Sequence, residues 1–362
     1  MQIEIPWWRT TFGDSEVAAI TYAIRSERIS QGKVTDELES RLCEALGVSH
    51  VLVTTSGSVS LLLAMMAVGI TKGDEVLVPD RTWVATAHAA LMLGATVTLV
   101  DTRSDYPLMD VEAAEALITK RTRAIVPVHL NGRSTGMAGV CALAKKYNLM
   151  VIEDACQAMF SKDSLGYLGT IGDLGCFSLG VTKLISTGQG GFVVTNNDSL
   201  YEKLRLLRNH GVVDNFTDRW NQLGFNFKFT DIQAAMGIAQ LERVPHRLKH
   251  VRAVYSAYQE QLKDLQSVAL LGYANPGSEL PLYIDVTSDR RDALITYLLE
   301  NGIQPRPYPP SLHTCNYMPQ RVSYPNSNHF SKIGMFLPCG PELPLPWVEK
   351  TCDAIRKFER NG

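Results

Sequence analysis

Lys183 closes the run Phe177-Ser178-Leu179-Gly180-Val181-Thr182-Lys183, 29 positions after Asp154 (183 − 154), and the cluster Gly188-Gln189-Gly190-Gly191 follows it. An apolar strand ends in Val151-Ile152-Glu153-Asp154, a second apolar stretch covers 174–179, and the glycine turn leads into Phe192-Val193-Val194-Thr195. An amine held among strand ends in a dry cavity is expected to have a lowered pKa and to condense with an aldehyde, which is how pyridoxal 5′-phosphate (PLP) is carried. Asp154 would then face the pyridine nitrogen and keep it protonated, so that the ring draws off the electrons released when a Cα–H bond breaks. Lys183 would serve both as anchor and as the base that moves a proton between Cα and C4′ of the cofactor. Taken singly, each has a plain reading: a surface lysine, and an aspartate capping a helix.

Other residues could complete such a site. Thr54-Thr55-Ser56-Gly57-Ser58-Val59-Ser60 joins a strand to a helix, so free amides and the helix dipole at Gly57, Ser58 and Val59 could hold a phosphate, with Ser178 adding a hydroxyl. Trp83 lies past a strand ending at Pro79, at the carboxyl edge where open α/β sheets bind ligands, and its indole could stack on a pyridine ring. Gln157, three residues after Asp154, could reach the phenolic oxygen of that ring or an acceptor substrate.

The elements that must position these residues follow a clear rhythm. Helical patterns over 14–26 (capped by Asp14 or Ser15), 35–46, 60–68, 85–93 and 137–147 alternate with short runs rich in β-branched residues at 51–53, 75–78, 96–100, 124–128 and 149–152. That is a mostly parallel sheet wrapped by helices. The alternation stops near residue 200; one long helical region over 230–265 leads to a segment with strand-like runs at 280–286 and 335–337 and helices over 290–300 and 347–358. The expected division is a large α/β domain, 1–240, followed by a connecting helix and a smaller α+β domain, 241–362.

Composition excludes some classes. With 35 basic and 37 acidic side chains in 362 residues the net charge is −2, which offers no electrostatic argument for nucleic acid or an anionic membrane. The seven cysteines are scattered and form no C-x-x-C pair, so reduced thiols rather than a metal clip are expected. Met1-Gln2-Ile3-Glu4-Ile5-Pro6 lacks a basic region followed by an apolar one, and no apolar run reaches membrane-spanning length; the cytoplasm is the expected compartment.

The ordered set Ser56-Gly57-Ser58, Asp80-Arg81-Thr82-Trp83-Val84-Ala85-Thr86, Pro127-Val128-His129-Leu130-Asn131-Gly132, Glu153-Asp154-Ala155-Cys156-Gln157-Ala158, Gly172-Asp173, Phe177-Ser178, Lys183 and Gly188-Gln189-Gly190-Gly191 resembles the sugar aminotransferases of the DegT/DnrJ/EryC1/StrS family. The likeness also takes in Gly224-Phe225-Asn226-Phe227-Lys228-Phe229-Thr230-Asp231-Ile232-Gln233-Ala234-Ala235 and runs from Pro6 nearly to the end. It implies the fold type I PLP-dependent aminotransferase fold, as a homodimer whose active sites lie at the subunit interface. By resemblance the lysine matching Lys183 forms the Schiff base, Asp154 holds the pyridine nitrogen and Trp83 stacks on the ring. Gly57, Ser58 and Ser178 bind the phosphate, which the residue matching Asn226 reaches from the neighbouring subunit.

The resemblance further implies transfer of an amino group from L-glutamate, through the pyridoxamine form of the cofactor, to a nucleotide-linked keto sugar for a surface polysaccharide or other glycan. Related sugar dehydratases carry histidine in place of the lysine, and Lys183 argues against that chemistry. A free keto sugar or cyclitol acceptor, and a non-catalytic sugar-nucleotide-binding relative, are the alternatives. The chain departs from the family pattern at Gln189, where an acidic residue is common, at Cys156, where alanine is, and at Pro307-Tyr308-Pro309-Pro310-Ser311-Leu312-His313. Acceptor contacts are expected from Trp7, Trp8 and Arg9, from Ser30 and Gln31 in the 29–32 stretch, from His210 and the loop to Asn221, and from Tyr308 and His313, through aromatic stacking and an Arg9–diphosphate pair.

Overall fold

The computed structural model describes residues 2–214, 219–220, 222–318 and 323–360. Met1 and, in the candidate acceptor loop, residues 215–218 and Asn221 lie outside them.

Two helices, α1 (Asp14–Arg25) and α2 (Lys33–Leu46), precede the first strand. Neither Asp14 nor Ser15 caps α1: Gly13 is the N-cap, and its amide donates to Glu16 Oε2 at 2.7 Å. The order is then β1 (His50–Thr54), α3 (Gly57–Ala67), β2 (Glu75–Pro79), α4 (Ala85–Met92), β3 (Thr96–Val100), α5 (Val111–Ala116), β4 (Thr122–Ile125), α6 (Met137–Tyr147) and β5 (Met150–Asp154). A small hairpin, β6 (Lys162–Asp163) and β7 (Gly166–Tyr167), precedes β8 (Leu174–Ser178), β9 (Gly191–Thr195) and α7 (Asp198–Arg208).

The large sheet runs β1-β9-β8-β5-β4-β2-β3. From β8 to β3 every pairing is parallel, and only β9 runs against its two neighbours. An antiparallel partner needs no helical crossover, so the chain turns straight back after β8 and the turn, which carries Lys183, stays at the carboxyl edge of the parallel strands. β5 ends at that edge with Asp154.

Both faces of the sheet are covered, as a parallel sheet requires. Val51 and Val53 of β1 join Leu38, Leu42, Val140 and Leu143 on one side, while Leu52 joins Leu61, Leu63, Ala87 and Leu204 on the other. The period of two along the strand thus sorts side chains between two helix layers. Leu52 is fully buried, and truncation to alanine there should cost about 2–5 kcal/mol.

After the sheet come α8 (Asp231–Glu242) and α9 (Val244–Leu262), two helices where a single one was expected. They part at Arg243, because Pro245 lacks an amide to donate and fits only the first turn of a new helix. The rest comprises β10 (Ala269–Leu270), β11 (Ile284–Thr287), α10 (Arg291–Glu300), β12 (Arg306–Pro307), α11 (Pro325–Ile333), β13 (Gly334–Leu337) and α12 (Leu345–Arg360). The four strands form an antiparallel sheet in the order β10-β11-β13-β12. A third apolar cluster, with Tyr258, Leu294, Leu298, Ile355 and Ile5, fills the space between this sheet and its helices. The N-terminal segment belongs to this layer, since Ile5 bridges Ile303 and Trp8 bridges Cys339.

Several expected boundaries shift for identifiable reasons. α2 starts at Lys33, ahead of the expected 35, because Asp231 accepts the amides of Gly32 and Thr35 at 2.8 and 2.9 Å and caps it from another helix. α3 starts at Gly57, ahead of the expected 60, because Ser56 Oγ accepts the Val59 amide. The expected strand over 280–286 shrinks to Ile284–Thr287, since Leu280 instead donates to Ser161 Oγ and Tyr283 turns its hydroxyl to Thr182. α5, α7 and α11 are helices that the apolar rhythm did not announce. All seven cysteines are free thiols.

Candidate active site

The amide of Ala155 donates to the Cys176 carbonyl, which fixes the end of β5 beside β8 and sets the Asp154 carboxylate toward the edge. Asp154 Oδ2 accepts from Thr86 Oγ1 at 2.7 Å and Oδ1 from the Cys156 amide at 3.1 Å, so both oxygens are oriented while each keeps a lone pair. Glu153, one residue earlier, points the other way and accepts from His129 and from the amides of Gly169, Ile171 and Gly172.

Lys183 is half-buried, and its Nζ donates to the Tyr283 hydroxyl at 3.3 Å. Burial alone would lower the amine's pKa, but Tyr283, Cys156 and Asp154 favour the charged form and raise it above the usual lysine value. The lowered pKa expected from the sequence is therefore corrected: the fold that desolvates Lys183 also gives its ammonium the Tyr283 hydroxyl oxygen and the Asp154 carboxylate. Burial and Asp154 together push the Cys156 thiol well up.

Gly57 lies flush against Ser178 and Cys156, where an added Cβ would stand 2.9 Å from each. The first turn of α3 thereby reaches Ser178, whose Oγ accepts the Gly180 amide at 3.2 Å. Val59 already donates to Ser56 Oγ, and the amides of Gly57 and Ser58 are the first-turn groups left without a helical partner. An amine, an oriented carboxylate and an open helix N-terminus at one sheet edge match the aldehyde, ring nitrogen and phosphate of PLP, so the residues present fit this cofactor.

Trp83 is 61 % exposed and lines a cleft with Arg81, Asn131, Gln157, Tyr308 and Phe336. It is not a core aromatic. Gln157 Oε1 accepts the Asn131 amide at 3.0 Å, which leaves its NH2 group as the donor. Tyr308 lines the same cleft, but its hydroxyl is committed to Asp285 Oδ2 at 2.7 Å, and burial pushes its pKa well up. Asp285 also takes a bidentate pair from Arg133 at 2.7 and 2.8 Å and the Asn131 side chain at 2.6 Å, which ties β11 to the turn after β4. With Asn131 Nδ2 so engaged, its buried Oδ1 has no partner.

The remaining candidates fall into separate places. Trp7 stacks on Tyr283 with ring centroids 5.8 Å apart, one ring removed from Lys183, and Trp8 meets Tyr283 edge-on. Arg9 lies over Trp347, 5.4 Å from the ring, and does not line the cleft. His313 is held by Asp80, with its Nδ1 and its amide each 2.7 Å from a carboxylate oxygen, and stacks on Tyr324. Ser30 and Gln31 line a second, polar cleft with Arg205, Arg208, Asn209 and Lys228. Asn226 bridges Asn209, and His210, at φ 57°, donates its amide to Phe225. This second group is not brought to Lys183 within one chain. Sequence reasoning missed Tyr283, Thr86 as the carboxylate's partner, and Arg81.

Comparison with known proteins accords with this arrangement. The DegT/DnrJ/EryC1/StrS aminotransferase family model matches residues 11–356. A GDP-perosamine synthase of Caulobacter vibrioides is 38 % identical over 296 residues, covering 80 % of this chain and 79 % of that one. A GDP-perosamine synthase of Vibrio cholerae is 32 % identical over 337 residues, with 91 % and 92 % covered. Among solved structures, DesV of S. venezuelae superposes with a TM-score of 0.92 at 29 % identity, covering 99 % of both chains. The protein has the fold of type I PLP enzymes, is a PLP-dependent aminotransferase, and belongs to the DegT/DnrJ/EryC1/StrS aminotransferase family.

Proposed function

We propose that this enzyme transfers an amino group from L-glutamate to a keto-deoxyhexose carried on guanosine diphosphate, with the ketone at C3 or C4, producing an amino sugar for a surface polysaccharide such as an O-antigen. The carrier is suggested by the relatives named GDP-perosamine synthase. The observation that carries the reading is the meeting of Lys183, Asp154 and the N-terminus of α3 at one sheet edge beside the Trp83 cleft.

When bound, PLP supplies an electrophilic aldehyde and a ring that takes up the electron pair of a broken Cα–H bond. Lys183 would hold the cofactor at rest; displaced by the incoming amine, it would move a proton at substrate Cα. Asp154, oriented by Thr86 and the Cys156 amide, would hold the ring nitrogen's proton in place. The amides of Gly57 and Ser58 and the Ser178 hydroxyl would bind phosphate, Trp83 would cover one ring face against water, and the Gln157 NH2 group would donate to the ring's phenolic oxygen.

The Ser30–Lys228 cleft completes the site from a second subunit, so the working unit is a homodimer with Asn226 crossing to the partner's phosphate. Val213, which lines that cleft, and Phe225, hydrogen-bonded to Leu207 and His210, are exposed apolar residues, as are Leu223 and Trp220, and they fit a surface that is covered on assembly. The chain is divided at about residue 240 into a cofactor-binding unit, 1–240, and a smaller unit, 241–362. No helix among the described residues is long and apolar enough to cross a membrane, and a reaction fed by L-glutamate and a nucleotide sugar suits the cytoplasm.

The test is the absorbance spectrum of the protein loaded with PLP. A band near the visible edge that moves to shorter wavelength on adding L-glutamate, and is missing in Lys183→Ala, is expected. A protein that cannot be loaded would sink the reading. Among GDP-, UDP- and dTDP-linked keto sugars as acceptors, the GDP-linked one should turn over fastest.

A further inference from the structure

Arg81 leaves the same turn as Trp83 and lines the same cleft, yet it is 5 % exposed and forms no salt bridge with a carboxylate among the described residues. Its Nη1 donates to the Pro309 carbonyl at 3.0 Å and to Ser311 Oγ at 3.2 Å, while its Nε has no partner. The neighbouring Asp80 is turned away, with both oxygens engaged by His313. The guanidinium lies 5.0 Å from the Tyr308 ring, a contact that orients it without neutralising it. Burial lowers its pKa against the opposing pull of Tyr308 and Asp80. A buried cation whose hydrogen bonds all go to neutral groups is costly unless an anion joins it, and a planar guanidinium fork matches a carboxylate.

The position of Arg81 selects which anion. It lies two residues from Trp83 and five from Thr86, the partner of Asp154, so it borders the ring of the cofactor rather than the polar cleft of Ser30 and Lys228. An anion there belongs next to the reacting carbon, and in the proposed pair of substrates only the amino acid carries one; the diphosphate lies beyond a sugar ring.

We propose that Arg81 recognises the carboxylate borne by the reacting carbon of the amino donor. The assignment rests on the aminotransferase reading above and adds the residue that orients the first substrate. A purely structural role, tethering 309–311, would instead affect both substrates alike.

Arg81→Gln and Arg81→Lys are loaded with PLP, and the two half-reactions are followed separately by absorbance. In Arg81→Gln the L-glutamate concentration for half-conversion should rise about 10–100-fold, the loss expected for one charge-assisted bidentate contact, with PLP uptake and the sugar half-reaction of the pyridoxamine-loaded enzyme unchanged. Arg81→Lys should recover part of the loss. Quenching of tryptophan fluorescence by succinate, a dicarboxylate that cannot react, should weaken at least tenfold in Arg81→Gln. An unchanged glutamate dependence, an equal loss in both half-reactions, or a weakened affinity for GDP in place of succinate would each overturn the assignment. A wild-type protein that binds PLP but does not respond to glutamate would overturn the donor reading while succinate quenching still judged Arg81.

Discussion

Lys183 Nζ donates to the Tyr283 hydroxyl at 3.3 Å, and that hydroxyl donates its one proton to the Thr182 carbonyl at 2.7 Å. Tyr283 is therefore an acceptor toward the lysine and favours the ammonium, whereas attachment of an aldehyde needs the neutral amine. Tyr283→Phe should lower the Lys183 pKa, so the pH midpoint for the rate of PLP attachment should move down and loading near neutral pH should accelerate. The linkage has the matching sign. A lysine raised in the folded state adds stability that is fully present below its unfolded pKa and fades as pH rises through the folded one, so the variant should lose part of the stability seen below that window. Stopped-flow loading across pH decides the point; an unmoved midpoint would show that Tyr283 does not control the amine.

Thr86 is wholly buried and gives its hydroxyl to Asp154 Oδ2 at 2.7 Å. Thr86→Val preserves shape and removes that bond to a charged group, which is worth about 1.5–3 kcal/mol. The expected result is a fall in kcat of roughly tenfold or more with little change in KM for L-glutamate, because the bond steadies the carboxylate proposed to hold the ring nitrogen and would not touch the donor. Asp154→Asn should cost more, about 10²–10³ in kcat. A Thr86→Val enzyme with wild-type kcat would separate Thr86 from the chemistry.

Lys183 and Asp154, on which the proposed chemistry rests, could be singled out in the sequence because each closes a run and stands within a local motif. Tyr283 and Thr86 were not, although they orient those two groups: they lie 100 and 68 positions from their partners, and no local pattern encodes a contact made by folding. The central sheet could be read because strands buried on both faces give unbroken β-branched runs, whereas the two-residue strands β10 and β12 are too short to carry a period. α2 begins early for a similar reason, since its cap is Asp231, 199 positions from Gly32. The expected fall in the Lys183 pKa counted burial and omitted Tyr283, which only the fold supplies.

Arg133 and Asp285 form a bidentate pair with neither side chain more than 2 % exposed, joined by Asn131 and Tyr308. Removing one member strands a buried charge, so Asp285→Ala should cost about 3–5 kcal/mol in chemical denaturation. Replacing both with apolar residues, as in Arg133→Met with Asp285→Leu, should recover much of that loss, since no lone charge remains. Equal destabilisation in single and double variants would mean that the pair's other hydrogen bonds, to Leu271, Gly272 and Asn131, dominate.

Lys183 pairs with Tyr283, whereas Asn226 bridges Asn209, which lines the Ser30–Lys228 cleft, and a shared site would unite one subunit's lysine with the other's asparagine. Asn226→Asp should weaken PLP binding by setting a carboxylate against phosphate, and Lys183→Ala should be inactive. When the two inactive proteins are unfolded, mixed in equal amounts and refolded, half of the dimers are hybrids, and each hybrid has one site with both original residues. Activity should then return to about a quarter of the wild-type value, the share of sites that twofold symmetry predicts. A mixture that stays inactive, although sedimentation shows a dimer of twice the 40.0 kDa chain mass, would place Asn226 and Lys183 in the same subunit's site, and an Asn226→Asp protein that is fully active by itself would take Asn226 out of the site altogether.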